Sequence, residues 1–132
     1  MIQLTINLFT PLQACESRAG LTPDTACEAV QRASHSDFAF VFASDPENTA
    51  AVDLLCWFAG DRARLRLDFH REFYAADPNL RSTVLQEPVT FCDEYGEKFT
   101  TPYSDTISKR QAIEAFEHWA RIGGADLSLS WQ

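Results

Sequence analysis

The chain is short, acidic and rich in aromatic residues. Its 132 residues include 10 Phe, 3 Trp and 3 Tyr, 45% are hydrophobic, and the formal net charge is -8. This length is near the mode for one domain, so we expect a single domain over residues 1–132. The apolar content argues against disorder, and no apolar run reaches the roughly 20 residues that a membrane-spanning helix needs. The excess of acids disfavours direct binding of nucleic acid, because phosphate recognition depends on clustered Lys and Arg.

The first half of the chain reads as a strand, a loop, a helix and a second strand. Residues 2–8 alternate apolar and polar side chains, which predicts a strand with one buried face. Residues 10–21 read as a loop. Thr22 is a capping hydroxyl followed by Pro23, which predicts a helix from there to about Ala33. The short apolar run 38–43, rich in Phe, predicts a buried strand.

The sequence next predicts two β-hairpins. Gly60 and Gly96 each lie between segments of strand character, which favours a tight turn at both places. The predicted hairpin arms are residues 52–58 with 64–69, and residues 89–92 with 98–100.

The last part of the chain predicts a helix and a closing strand. Ser108 with Gln111 three residues later is a capping box, and Gly123 is suited to end the helix. Residues 127–131 alternate and predict a strand. A buried stripe is expected at Ala112, Ile113, Phe116, Trp119 and Ala120. The expected fold is α+β, a mainly antiparallel sheet with two main helices in the order β-α-β-β-β-β-β-α-β.

The sequence contains no recognisable catalytic or metal-binding motif. The four cysteines lack the close pairs of a zinc site, the three histidines form no HExxH, and GxSxG and phosphate-binding glycine loops are missing. We therefore expect no catalytic residue, no metal and no cofactor, with all four cysteines as reduced thiols. The first residues lack the basic region of a signal peptide, so we expect a cytoplasmic location.

Basic residues are concentrated in one segment. Arg62, Arg64 and Arg66 alternate along a predicted hairpin arm and so share one face. This face is either an anion site or a solvated sheet face paired with acids of the adjacent strand. Further along, a continued strand would place His70 and Glu72 on one face, as an acid/base couple or simply as a solvated strand end.

A loop of acids and tyrosines is the candidate interface. It is either a polar hairpin tip or a surface on which acids steer a basic partner and tyrosines supply buried contact. The candidate partner-binding residues are Asp93, Glu94, Tyr95, Glu97, Tyr103 and Asp105.

The C-terminal third, Val89 to Trp131, carries a resemblance. A hairpin with Gly, an Ile before a capped helix, Ala and an aromatic on the inner helix face, a Gly, and a closing strand with Trp are found together. The matching positions are Gly96, Ile107, Ala112, Phe116, Gly123 and Trp131. This pattern resembles immunity-protein family one of bacterial polymorphic-toxin and contact-dependent inhibition systems; where that family often has a Pro after the Gly, this chain has Gly124.

The resemblance implies a non-catalytic immunity protein. Such a protein binds a cognate toxin domain, often a nuclease or another enzyme acting on nucleic acid, and neutralises it by stoichiometric binding. Two alternatives stay open: an adaptor or chaperone for a secreted effector, and a small ligand-binding α+β domain. The latter would use a sheet face with Arg64, Arg66, His70 and Glu72.

Overall fold

Two helices and a set of short and long strands make up the structure. The computed structural model describes residues 1–9, 13–48, 52–80 and 86–132. The strands in these ranges are β1 (Ile2–Phe9), β2 (Gln13–Leu21), β3 (Phe38–Ser44), β4 (Asp53–Ala59), β5 (Arg62–Phe69), β6 (Arg71–Ala76), β7 (Val89–Cys92), β8 (Lys98–Thr101), β9 (Ile107–Ser108) and β10 (Ser130–Trp131). The helices are α1 (Pro23–Ala33) and α2 (Lys109–Arg121), and a short 3-10 helix covers Tyr103–Asp105.

One large antiparallel sheet organises the molecule. Its strand order is β10-β6-β5-β4-β3-β1-β2, and β9 adds to the edge of β5 next to β6. Strands β7 and β8 form a separate two-stranded sheet. Every strand pair in the described residues is antiparallel. The predicted α+β class with a mainly antiparallel sheet and two helices is confirmed.

Both helices lie on one face of the large sheet. As predicted, Thr22 caps α1 by accepting a hydrogen bond from the Thr25 N–H, and Ser108 and Gln111 form a capping box on α2. The amphipathic stripes of the helices bury their small and aromatic residues against β1, β3, β4 and β5. Trp119 connects α2 to the start of β4, because its Nε1 donates to the carbonyl oxygen of Val52 at 2.8 Å. Of the predicted α2 stripe, Ala112, Phe116 and Trp119 are buried, whereas Ile113 and Ala120 are partly buried.

The β7–β8 hairpin covers the opposite face. Both predicted hairpins are confirmed: β4 with β5 turns at Gly60, and β7 with β8 turns at residues 93–97. Phe91 of β7 is 0% exposed and packs in a second core with aromatic residues of the sheet. The members of this second core are Phe40, Leu55, Trp57, Ala59 and Phe91, with Phe9, Phe38, Phe42, Tyr74, Val89 and Phe99 at its border.

The prediction of a loop over residues 10–21 was wrong where the structure describes it. Residues 13–21 form β2, paired with β1 from Gln13 opposite Phe9 to Arg18 opposite Leu4, and after a register shift with Leu21 opposite Ile2. Leu21 is the one buried residue of β2, so this strand has no buried face. Its sequence therefore lacks the alternation of apolar and polar residues by which a strand is predicted. Residues 10–12 lie outside the described residues.

The ends of β5 and β10 bear on two further predictions. The chain reverses at His70, which has φ 60, and Phe69 pairs directly with Arg71 across this turn. Strand β5 therefore ends at Phe69, as predicted, and the continued strand that would place His70 and Glu72 on one face does not form. The closing strand is shorter than predicted: it spans Ser130–Trp131, and residues 126–129 form a turn in which the Leu129 N–H donates to the carbonyl of Asp126.

Candidate functional site

The tip of the β7–β8 hairpin is held in shape by Asp93. Its Oδ1 accepts hydrogen bonds from the N–H groups of Tyr95 and Glu97, both at 2.9 Å. The backbone of Asp93 also bonds to Glu97 and to Gly96, which has φ 80, in the left-handed region that favours glycine. The Asp93 carboxylate therefore organises the turn, although the sequence had suggested it as a direct partner contact.

The rest of the tip points into solvent. Tyr95 is 79% exposed, and Glu94 and Glu97 beside it are also exposed. A Cβ at Gly96 would lie 3.4 Å from the Phe9 ring, so the tip lies against the end of β1. The turn thus exposes an aromatic ring between two carboxylates. Hydrogen bonds within the turn and the neighbouring end of β1 both support it.

Tyr103 and Asp105 are at the other end of this hairpin. Val89 pairs with Thr101 at the open end, and strand β8 separates that end from the tip by about 10 Å. Asp105 is exposed, whereas Tyr103 is half-buried under Arg62, whose Cζ is 4.3 Å from the centre of the ring. The six candidate interface residues therefore fall into two groups, one at the hairpin tip and one in the 3-10 helix beyond its open end, rather than one patch.

The three arginines of β5 share one face, as predicted, but the hairpin side of the sheet half-buries them. Arg62 Nε donates to Thr106 Oγ1 at 3.0 Å, and the same hydroxyl donates to the carbonyl of Tyr103 at 2.7 Å. Arg64 Nη1 donates to Thr101 Oγ1 at 3.1 Å, and its Cζ lies 4.1 Å from the centre of the Tyr74 ring. These two arginines join the sheet to the end of β8 and to the segment that follows it.

Arg66 is the member of the row that is paired with acids. It makes two hydrogen bonds with the Asp68 carboxylate, at 2.8 and 3.0 Å, and an ion pair with Glu72 of the adjacent strand at 3.3 Å. Burial opposes the charge of Arg66, but the hydrogen bond with Asp68 raises its pKa overall. The alternative of pairing with acids on the adjacent strand thus holds for Arg66.

The structure does not assemble the site suggested for a small ligand. Glu72 is occupied by Arg66 and accepts a hydrogen bond from the Tyr74 hydroxyl at 3.4 Å. His70 lies in the turn, exposed, with its ring 4.5 Å from that of Phe69. The acid/base alternative for His70 and Glu72 depended on a continued strand, and the turn at His70 separates the two residues instead.

Two concave surfaces differ in chemistry. A groove of about 590 Å³ lies where the β4–β5 turn meets the segment entering β7, and it is lined by Asp37, Asp61 and Glu87 together with Arg62 and Tyr103. A second cavity of about 410 Å³ is almost wholly apolar and lies between the β5–β6 hairpin and the segment that leads into β10. Its lining residues are Val52, Leu67, Phe69, Phe73, Gly124, Ala125, Leu127 and Trp131.

The titratable thiols do not form a reactive site. Desolvation by burial raises the pKa of Cys56, Cys92 and Cys27, which favours the neutral thiol in each case. All four cysteines are free, and Cys15 on β2 is exposed. Among the described residues, no group of three or more His, Cys, Asp or Glu side chains is placed to hold a metal ion.

Several residues that shape this region had no signal in the sequence. Tyr74, Thr101 and Phe9 became important through contacts with distant segments. The alternation of Arg62, Arg64 and Arg66 predicted their common face, but nothing local indicated that a hairpin would cover it. The pattern Asp-x-x-Gly at Asp93 and Gly96 was the one signal available for the role of Asp93, because Asp commonly bonds to the backbone of its own turn.

Comparison of the sequence with models of known protein families gave no match, and neither did comparison with curated proteins. Within the described ranges, no helix has the length and apolar character needed to cross a membrane.

Proposed function

We propose that this chain is an immunity protein that binds a cognate bacterial toxin domain and neutralises it by stoichiometric, non-catalytic inhibition. The observation that carries the proposal is the β7–β8 tip, where Tyr95 is 79% exposed between the exposed carboxylates of Glu94 and Glu97. The resemblance of residues 89–131 to immunity-protein family one supports the same function.

The tip has the properties of a recognition element. Its turn is held by the two hydrogen bonds to Asp93 and by contact with Phe9, so little conformational entropy remains to be lost on binding. Tyr supplies a large contact area with few rotatable bonds, and it is enriched among residues that dominate interface energies. The two acids would attract a basic surface and speed association.

The charge of the whole chain favours a basic partner. At a net charge of -8, the protein is attracted to positively charged surfaces. An enzyme that acts on nucleic acid exposes Lys and Arg to bind phosphate, and carboxylates placed there would compete with the substrate. A nuclease or a related toxin is therefore the partner class that the proposal names. The acidic groove with Asp37, Asp61 and Glu87 is a second surface of the same sign.

Co-expression tests the proposal directly. The chain is produced together with the product of the gene immediately upstream, and host survival and co-purification are measured. Rescue from toxicity with a stable one-to-one complex is the expected result. Co-purification with a partner that is not toxic would instead support an adaptor, and the absence of both would contradict binding of that partner.

Charge reversal then tests the tip. Glu94→Lys/Glu97→Lys leaves Asp93, and therefore the turn, unchanged. We expect the association rate with the toxin to fall by about tenfold or more at low salt and its salt dependence to weaken. The matched control is Glu28→Lys/Glu114→Lys on the helices, which makes the same change in net charge on the opposite face of the sheet. Equal effects of the two double variants would mean that only net charge matters and would remove the tip from the interface.

A variant at the edge of the apolar cavity tests whether the toxin binds there rather than at the hairpin tip. Leu127 is 88% exposed at its edge, so Leu127→Lys changes this surface without disturbing buried packing. The proposal expects unchanged affinity for the toxin. A large loss of affinity with Leu127→Lys and none with the tip variant would place the contact in the cavity instead.

A further inference from the structure

Strand β2 is an unusually open edge of the large sheet. It is nine residues long and has β1 as its hydrogen-bonded neighbour on one side, while it stands last in the strand order on the other. Eight of its nine residues are not buried, and the exception is Leu21 at its end. Neither the helices nor the β7–β8 hairpin therefore shields this strand.

The opposite edge of the sheet is short by comparison. There, β10 is two residues long, and Gln132 exchanges two backbone hydrogen bonds with Tyr74, at 2.8 and 3.0 Å. Proteins commonly shorten or cover sheet edges in this way, because a free edge is a template for another strand. Strand β2 has an irregularity at its C-terminal end, where the register with β1 shifts between Arg18 and Leu21 and Gly20 has φ 67. From Gln13 to Arg18 its pairing is regular, so over this stretch its alternate N–H and C=O groups face outward from the sheet.

The side chains of β2 are complementary to themselves. Its charged residues are Glu16 and Arg18, on either side of Ser17 and 3.5 Å apart on one face of the strand. Consider a second copy of β2 paired antiparallel about a two-fold axis at Ser17. Each Glu16 then lies directly opposite Arg18 of the second copy, so two cross-strand pairs of opposite charge form at once.

Neighbouring registers are less favourable. Because side chains alternate between faces, a symmetric antiparallel pair must be centred on one residue. Centring on Glu16 places two carboxylates directly opposite each other, and centring on Arg18 does the same with two guanidinium groups. In the register centred on Ser17, the paired residues 16–18 lie in the regular part of β2, and the residues next outward, Cys15 and Ala19, are small.

We propose that β2 is a self-association edge: two copies of this chain pair their β2 strands antiparallel about Ser17, which joins their sheets into one. The observation behind it is the uncovered edge together with the self-complementary order Glu16-Ser17-Arg18. The proposal is independent of toxin binding, because the β7–β8 tip is on a different part of the molecule. Since a single strand pair buries a modest area, the dimer is a weak one.

Exchanging the charges of Glu16 and Arg18 tests the pairing, and the measured quantity is the molecular mass of the protein in solution. Sedimentation at low ionic strength is measured over protein concentrations from about 1 μM to 1 mM, the range of a weak complex. The full chain is expected to dimerise, and Glu16→Arg and Arg18→Glu are each expected to weaken dimerisation by tenfold or more. The double variant Glu16→Arg/Arg18→Glu restores the opposite-charge pairs and is expected to dimerise like the original chain.

Each alternative outcome overturns the proposal. A chain that stays monomeric throughout this range has no such edge, and a dimer that is insensitive to both single changes uses another surface. Glu16 is exposed and Arg18 is half-buried, so circular dichroism of each variant checks that the fold is kept.

A cross-link tests the register. Directly opposite Cα atoms in an antiparallel pair are about 4.5–5.5 Å apart, within the range that a disulfide spans. In the proposed register, Ser17 is directly opposite Ser17 of the second copy, so mild oxidation of Cys15→Ser/Ser17→Cys is expected to give a covalent dimer. The original chain is expected to give none, because its two Cys15 residues are four strand positions apart, about 13 Å. Cys15→Ser/Gln13→Cys is the matched control, whose new thiols are farther apart still, and it should also stay uncross-linked. Failure of Cys15→Ser/Ser17→Cys to cross-link, or equal cross-linking of its control, overturns the register.

Discussion

The guanidinium of Arg64 lies over the ring of Tyr74, with its Cζ 4.1 Å from the ring centre. The same side chain donates to Thr101 Oγ1, so one residue of β5 contacts both β6 and the end of β8. Its Nε is buried without a hydrogen-bond partner in the described part of the chain. Arg64 thus contacts an aromatic ring and a hydroxyl group. Both van der Waals packing of its side chain and electrostatic attraction contribute to these contacts.

This arrangement predicts a difference between two substitutions. Arg64→Ala removes the stem and the stacking, and we expect the free energy of unfolding to fall by about 2 kcal/mol. Arg64→Met keeps most of the stem and removes a half-buried charge, so the expected loss is below about 1 kcal/mol. Urea unfolding measures both, with the exposed Arg110→Ala on α2 as the control. Equal losses for Ala and Met would show that charge, not packing, is what Arg64 contributes.

The turn at Asp93 predicts an effect on stability that is separate from binding. Asp93→Ala leaves the N–H groups of Tyr95 and Glu97 without their acceptor, and we expect a loss of about 1–2 kcal/mol. Asp93→Asn keeps an oxygen at the same place and should lose less. Thermal or urea unfolding tests this pair of variants. A neutral Asp93→Ala would mean that the bonds do not hold the tip.

Burial of the thiols predicts which cysteines react. Cys15 is exposed and Cys27 is partly buried, whereas Cys56 and Cys92 are buried, and burial raises the pKa of the last three thiols. With a disulfide reagent at about pH 8, we expect Cys15 to react rapidly, Cys27 slowly, and the buried pair at the rate of unfolding. Cys15→Ser should remove the rapid phase. Rapid reaction of a second thiol in that variant would contradict the burial of the others.

The hydrogen bond to Asp126 predicts part of the loss of folding stability at acid pH. The N–H of Ser128 donates to its carboxylate at 2.9 Å, and this bond lowers the pKa of Asp126. Because the folded-state pKa lies below the unfolded one, the contribution to stability is present above the unfolded pKa and is lost as the pH falls through the folded pKa. We expect Asp126→Asn to lose less stability than the original chain between about pH 6 and pH 3.

The matched variant for that measurement is Asp126→Ala. It removes the acceptor as well as the charge, so it should be less stable than Asp126→Asn at every pH. An unchanged pH dependence in Asp126→Asn would show that other carboxylates account for the acid transition.

Elements with a local cause were predictable. The alternation of β1 and β5, the cap at Thr22, the capping box at Ser108 and the turn at Gly60 depend on neighbours within a few residues, and all are present. The elements that were missed lack such a local signal. Strand β2 pairs with the preceding strand β1 but has Leu21 as its one buried residue, and β6 folds back on β5 at His70, a residue other than Gly with φ 60.

The candidate site divides in the same way. The sequence indicated a polar tip at residues 93–97, and the structure supplied the reason for its shape in the carboxylate of Asp93. Tyr103 was grouped with that tip because it is close in sequence. The structure instead places it under Arg62 at the far end of the hairpin.

The sequence by itself determined the α+β class, the two capped helices, the hairpins and the acidic balance, because these follow from side-chain periodicity, turn residues and composition. Only the tertiary structure decided that the β7–β8 hairpin covers the arginine face, that Arg64 stacks on Tyr74, and that β2 is an open edge. The physical reason is that pairing of strands and packing of layers join residues far apart in the chain, and local patterns carry no information on which surfaces meet.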